Sequence, residues 1–391
     1  MTEIREVSSP TPTFYIFLQM LVALALFMFS IDLLTVSATR LNNEVAMELF
    51  QATNNPFIGL FVGLLMTALL QSSSTITAMI VAVVASGNLS LVQAVPLIMG
   101  ANIGTTITST LVSFSYIMDI RNFKKAFSAG IVHDIFNIIT VIIFLPLEFY
   151  FGFLSKTAQF LTNTFFNVDS GSEVDYTYNV LFTRPLTLWL LDILYYPLLG
   201  LILSVALVFL AIKFLSTTVF KSFVSNNFKK VSKHIFKSPL VAFLYGIFFT
   251  AAVQSSTVTT SLVVPAVVNR KVSLVKVFPF IIGANIGTTV TAAIAALYKT
   301  EAAISIAIVH FLFNFIGAMI FLPFPGIRNI PVRIATFLGR ETVKSRLVGF
   351  AYILLCFFII PFLLIYFNNY EIKDSSIKAV ETPKKEIVLE K

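Results

Sequence analysis

Long apolar runs alternate along this chain with short polar or basic breaks, and the runs come in two lengths. Residues 14–36, 126–150, 186–212, 302–322 and 347–367 each offer the roughly 20 apolar residues that a helix needs to cross a bilayer. Other runs are too short. Residues 57–70 and 75–86 flank the cluster Gln71-Ser72-Ser73-Ser74, which predicts two half-length helices meeting at a polar tip and leaving by the face at which they entered. Residues 91–99 and 107–118 flank Gly-Ala-Asn-Ile-Gly-Thr-Thr (100–106), which predicts one crossing helix with a break in it.

Both features recur. Gln254-Ser255-Ser256-Thr257 and residues 283–289 repeat the cluster and the heptapeptide at the same separation, with Pro279 matching Pro96. The pairs His133…Asn137 and His310…Asn314 follow, each ahead of a Leu-Pro (Leu145-Pro146, Leu322-Pro323). A duplication that sets helix-breaking polar segments inside apolar stretches is the pattern of a secondary transporter. Irregular backbone at membrane depth is tolerated only where it is buried in protein or lines a cavity, so the two polar regions are expected to face each other. An odd number of crossings separates the copies, which makes the second inverted. The expected fold class is an all-α polytopic membrane protein of inverted structural repeats, each with a re-entrant helical hairpin and a discontinuous transmembrane helix.

This reading divides the chain into six segments. Residues 1–56 hold a cytoplasmic amino terminus, the first transmembrane helix and an external linker, and 57–150 form repeat 1. An external loop (151–185) leads to a transmembrane helix and basic cytoplasmic linker (186–238). Repeat 2 (239–325) precedes a second basic linker, the last transmembrane helix and a tail (326–391). Composition agrees: 57% of the 391 residues are hydrophobic and 12% charged, against about 25% charged in ordinary domains. The net charge of +8 does not suggest nucleic acid. The basic residues fall between apolar runs, as in Arg121, Lys124 and Lys125, or Arg328, Arg333, Arg340, Lys344 and Arg346. That is positive-inside topology in a multi-pass protein, expected in the plasma membrane. The first apolar run lacks a cleavage pattern and reads as an uncleaved span. The single cysteine, Cys356, excludes an intrachain disulfide.

Hydroxyls of Ser and Thr donate and accept, and the amides of Gln and Asn do both. Each cluster precedes a helical run, so free N–H groups and the positive dipole end point at it. Two such starts converging make a small donor-rich pocket that suits a tetrahedral oxyanion. Unwound Asn-Ile-Gly-Thr-Thr segments, with Gly104 and Gly287 permitting the turn, would add hard oxygen ligands for an alkali cation. Symport with sodium is then the economical arrangement, because cations neutralise the anion locally.

These residues resemble the type II sodium-dependent phosphate cotransporters, over residues 31–367. The likeness rests on Gln-Ser-Ser-Ser-Thr with Gly-Ala-Asn-Ile-Gly-Thr-Thr, their second copies, Asp32-Leu33-Leu34, Asn55-Pro56, Val132-His133-Asp134-Ile135-Phe136-Asn137 and Val309-His310-Phe311-Leu312-Phe313-Asn314. It implies phosphate held by Gln71, Ser72, Ser73, Ser74, Gln254, Ser255, Ser256 and Thr257, with Asn102 and Asn285. It implies sodium ligation by Asp119, Asn137, Thr288 and Thr291, with Thr105, Asp134 and Asn314. Asp134 stands where electrogenic members carry aspartate and electroneutral ones glycine, which implies three sodium ions per divalent phosphate. Thr257, Ala284 and Tyr116 depart from vertebrate members, which have serine, serine and glutamine there.

The expected function is sodium-coupled phosphate symport by alternating access, with no catalytic residues and no cofactor beyond the coupling sodium ions. The expected partners are phosphate, sodium and the lipid bilayer. One rival is transport of another oxyanion such as arsenate. Another is an intramembrane serine hydrolase pairing Ser73 or Ser256 with His133 or His310. That chemistry needs one nucleophile and one base, whereas this chain duplicates every polar element. His133 and His310 are read as hydrogen-bonding supports, and Asp32 and Asp192 as helix-packing residues.

Overall fold

The computed structural model describes residues 13–41, 53–166, 183–219, 234–297 and 300–367, and every element within them is helical. In chain order these are α1 (Thr13–Arg40), α2 (Pro56–Leu70), α3 (Ser73–Ala85), α4 (Leu91–Gly104), α5 (Ile107–Phe114), α6 (Ile120–Phe151), α7 (Phe153–Phe166), α8 (Thr183–Leu194) and α9 (Pro197–Val219). They continue as α10 (Pro239–Val253), α11 (Ser256–Ser261), α12 (Val263–Val268), α13 (Leu274–Ala296), α14 (Glu301–Phe321), α15 (Pro325–Lys344) and α16 (Leu347–Leu354). A π-helical turn, Leu355–Ile359, extends α16 towards Phe367. Seven helices among the described residues are long and apolar enough to cross a membrane.

Local chemistry starts both hairpins alike. Asn55 and Ser238 cap the first N–H groups of α2 and α10, and Pro56 and Pro239 occupy the first helical turn, where a missing N–H costs nothing. Both helices stop at a glutamine in the left-handed conformation, Gln71 at φ 52° and Gln254 at φ 57°. At 15 residues each, they are about 22 Å long, short of a hydrocarbon core of about 30 Å.

Glycines show which way the chain then runs. A Cβ on Gly63 would strike the carbonyl of Leu97, one on Gly100 that of Leu60, and one on Gly104 that of Leu64. Residue numbers rise together on both helices, so α2 and α4 are parallel. The beginning of α4 lies beside the beginning of α2, where Gln93 Nε2 donates to Asn54 Oδ1 at 2.8 Å. The intervening α3 must therefore return to the level at which α2 started, which makes α2–α3 a re-entrant hairpin. The second copy repeats the contact: Gly246 against Phe280, Gly283 against Phe243 and Gly287 against Ile247.

The copies then exchange partners. Helix α3 packs on α13 of the second copy and α11 on α5 of the first; likewise α14 packs on α4 and α6 on α13. These motif-bearing helices are the inner ones. Of the most apolar window in Leu91–Phe114 and in Leu274–Ala296, 83% is buried, against 28% in α1 and in α9. Edge-to-face contacts of Phe136 with Phe278 (5.9 Å) and Phe321 (5.2 Å) tie α6, α13 and α14 together.

Several expectations need correction. The heptapeptide is not unwound: α4 and α5 are separated only by Thr105 and Thr106, both in right-handed helical conformation, and α13 runs unbroken through Asn285–Thr289. Gly104 and Gly287 serve close helix approach instead of a turn, which is why glycine there does not break the helix. The returning arm of the second hairpin is divided at Leu262, because Pro265 has no N–H for the carbonyl of Ser261. Residues 186–212 are two helices, since Pro197 disfavours helical backbone at Tyr196 and Tyr195 sits at φ 61°. Helix α8 is pinned to α1 by the buried pair Arg184–Asp32 (3.2 Å) and the exposed pair Arg40–Asp192 (3.0 Å). The stretches taken as an external loop and a second basic linker contain α7 and α15. Helix α7 is started by Glu148, whose Oε2 accepts from Leu154 N at 2.7 Å. Residues 1–12 and 368–391, which hold the start of the amino-terminal segment and the tail, lie outside the described residues.

Candidate functional site

The two hairpin tips touch. Ser74 Oγ, on the first turn of α3, donates to the backbone carbonyl of Gln254 at 3.0 Å, in a buried setting. Each tip is built by the same sequence logic. The αL glutamine turns the chain, and the next serine becomes an N-cap: Ser72 Oγ accepts from Thr75 N and Ser255 Oγ from Val258 N, both at 3.3 Å. A left-handed residue with a side chain costs roughly 1–2 kcal/mol, and a glycine would avoid that cost. Glutamine at both tips is backbone strain retained at matched positions, and strain of that kind gathers at functional sites. The N–H groups of Ser73 and Ser74, first in α3, have no intrahelical partners. Ser73, Ser74, Gln254 and Ser256 are buried; Ser72, Ser255 and Thr257 are half-buried, and Gln71 is exposed.

Around the tips the glutamines differ. Gln254 Nε2 donates to the carbonyl of Ala251 and its Oε1 accepts from Thr291 Oγ1, both at 2.5 Å. In the first copy the matching threonine, Thr108, is half-buried with its hydroxyl enclosed and unpartnered, and Gln71 makes no hydrogen bond among the described residues.

One asparagine bridge joins the two heptapeptides through α6. Asn285 Oδ1 accepts from His133 Nε2 (2.5 Å) and Asn285 Nδ2 donates to Asn137 Oδ1 (2.7 Å). Asn137 Nδ2 in turn donates to the carbonyl of Asn102 (2.7 Å). Three helices are thereby stitched across a fully buried polar layer, where each unmade bond would cost about 1–3 kcal/mol. The matching residues of α14 are not so engaged. Asn314 Nδ2 only bonds back to the carbonyl of His310 (3.0 Å), while Asn314 Oδ1 and His310 Nδ1 are buried without partners.

Beside the bridge, Asp134 is fully buried. Thr106 Oγ1 donates to its Oδ1 at 3.0 Å and the Tyr352 hydroxyl donates to Oδ2. Neither histidine pairs with it. A carboxylate held by neutral hydroxyls alone keeps its charge uncompensated, and buried charge without a counter-ion is costly. The arrangement is therefore suited to a cation.

Not every expected ligand joins this cluster. Asp119 is exposed and caps α6, accepting from Arg121 N (3.0 Å), Asn122 N (3.2 Å) and Asn122 Nδ2 (2.7 Å). Thr105 and Thr288 bond back to the carbonyls of Ala101 and Ala284, which leaves their lone pairs as the remaining resource. Asn102 Nδ2 is taken up by the carbonyl of Ile98. Among the described residues no hydrogen bond joins Ser73 or Ser256 to a histidine, and His133 is committed to Asn285. Thr106 and Tyr352 are the residues that sequence reasoning missed. Thr106 stood inside the repeated motif, whereas Tyr352 is one hydroxyl in an apolar span.

Comparison with known proteins adds the chemistry. The family described as Na+/Pi-cotransporter matches residues 26–161 and 207–361. Sodium-dependent phosphate transport protein 2A of Ovis aries is 31% identical over 425 residues, covering 88% of this chain and 66% of its own length. The Rattus norvegicus protein of that name is 30% identical over 426 residues, with the same coverage. Sodium-dependent phosphate transport protein 2B of Homo sapiens is 27% identical over 435 residues, covering 86% of this chain and 62% of its own. The chain thus spans just under two thirds of the length of these relatives. No solved structure matches it.

Proposed function

Because the chain belongs to the Na+/Pi-cotransporter family, which consists of transporters and not enzymes, we propose that it couples sodium to the uptake of inorganic phosphate across the plasma membrane. The observation that carries this reading is the bond from Ser74 to Gln254, which brings the two Gln-Ser-Ser clusters to one place. Phosphate sits between the tips, offered the hydroxyls of Ser72, Ser73, Ser74, Ser255, Ser256 and Thr257 and the amides of Gln71 and Gln254. A donor-rich site without a fixed cation binds a divalent anion best when mobile cations accompany it. Asp134, Asn137 and the hydroxyls of Thr288 and Thr291 supply oxygens for them. Three sodium ions enter with each divalent phosphate, and the tips open alternately to the two sides of the membrane. The amino terminus and the basic segments face the cytoplasm. Arsenate, tetrahedral and of equal charge, competes for the same cradle.

Proteoliposomes loaded with the purified chain should accumulate labelled phosphate when sodium is outside and stop when choline or potassium replaces it. Uptake that ignores the replacement, or no uptake at all, overturns the assignment. Gln71→Ala and Gln254→Ala should each raise the half-saturating phosphate concentration about tenfold or more, the worth of a hydrogen bond to a charged partner. Gln254→Ala has the larger effect, since it also strands the Thr291 hydroxyl. Wild-type affinity in both would remove them from the site.

A further inference from the structure

Helix α15 plays no part in the cluster, yet its surface is sharply divided. Its 20 residues would reach about 30 Å, but Arg328, Arg333, Arg340, Glu341 and Lys344 exclude it from the candidate spans. Short connections join it to α14 and α16, which are candidate spans, so both its ends are held at one membrane surface. At 3.6 residues per turn its side chains sort into three faces. Pro331, Val332, Ala335, Gly339 and Thr342 are buried and pack on α6, where a Cβ at Gly339 would meet Ser128 Oγ and the Lys124 carbonyl. Next round the helix, Ile327, Ile330, Ile334 and Phe337 form an exposed apolar row, Phe337 at 60%. Beyond them Arg333, Arg340 and Lys344 form an exposed basic row. Lys344 pairs with Glu341 (2.7 Å), and neither arginine has an acidic partner among the described residues.

We propose that this face binds anionic lipid, with the isoleucines and Phe337 set among the acyl chains and the basic row at the headgroup phosphates. An amphipathic helix in the interface plane presents such a pairing, apolar side chains below and cations at headgroup level. Between 325 and 346 five basic residues stand against Glu341 alone, so the charge fits an anionic surface and opposes a basic one. Three cations at such a surface strengthen attachment on the order of a hundredfold. The assignment rests on the membrane architecture alone and is independent of which ion is carried.

Quenching by brominated lipids tests it in the full chain. The sole tryptophan, Trp189, is replaced by phenylalanine, and Phe337→Trp places an indole in the apolar row. Reconstituted protein is then exposed to brominated phosphatidylcholine or brominated phosphatidylglycerol at equal mole fraction. Both should quench, phosphatidylglycerol several-fold more strongly, and 0.5 M salt should shrink the difference. The triple variant Arg333→Gln, Arg340→Gln, Lys344→Gln should keep the phosphatidylcholine quenching, which shows the helix in place, and lose the anionic preference. Equal quenching by the two lipids, or none by either, overturns the proposal. Ile330→Trp gives an independent reading from the same face. No phosphate enters the measurement, so failure here leaves the transport reading standing, and the reverse.

Discussion

Glycine in place of Asp134 should extinguish the inward current that accompanies phosphate uptake while labelled phosphate still enters in sodium. Three monovalent cations with a divalent anion move one net positive charge per cycle, and two move none. Among the described residues Asp134 is the only carboxylate in the buried polar layer, and its direct partners, Thr106 and Tyr352, are neutral. Those hydroxyls each contribute about 1.5–3 kcal/mol to a charged acceptor, less than full compensation for a charge removed from water. On the proposed reading a sodium ion supplies the remainder. Without the carboxylate that ion loses its anchor, and the membrane potential, worth about 2.3 kcal/mol per charge at 100 mV, no longer drives the cycle. Current and tracer uptake recorded on the same cells decide the matter: an unchanged ratio of charge to phosphate refutes the assignment of Asp134.

Even alanine at Gly100 or Gly283 should prevent recovery of folded, monodisperse protein. The added Cβ lands on the carbonyl oxygen of Leu60 in one case and of Phe243 in the other, backbone atoms that no rotamer change can move aside. Overpacking costs 1–3 kcal/mol even where side chains can adjust, and here two whole helices must separate. That is a large share of the roughly 5–15 kcal/mol that holds a domain together. Gly326→Ala is the control, because nothing lies within 4 Å of its Cβ position. Size-exclusion profiles and thermal melts of the three variants check this, and a sharp wild-type peak for Gly100→Ala would mean the helices are not in contact as described.

The hairpins were legible because length and polarity speak together there: two runs too short to cross, joined by a cluster that lipid would not tolerate. The heptapeptide was misread for a physical reason. Glycine followed by two threonines looks like a helix breaker in one dimension, but Gly104 and Gly287 answer a neighbour's backbone, and Thr105 and Thr288 turn their hydroxyls onto the preceding turn. The division between α8 and α9 did have a local mark, Pro197. Helices α7 and α15 carry no such mark, because the 14 residues of α7 are too few for a span and the 20 of α15 are too polar. Tyr352 left no trace: its partner lies 218 residues away, and no periodicity announces a single long-range hydrogen bond.

Thr291 satisfies Gln254 while Thr108, its counterpart, leaves Gln71 alone; Asn285 holds His133 while Asn102 does not hold His310. The chain thus owns two sets of latches and has fastened one. On the alternating access proposed above, releasing these and fastening the others is the exchange that carries one pose into the other. On that reading the bound cargo decides which set is closed.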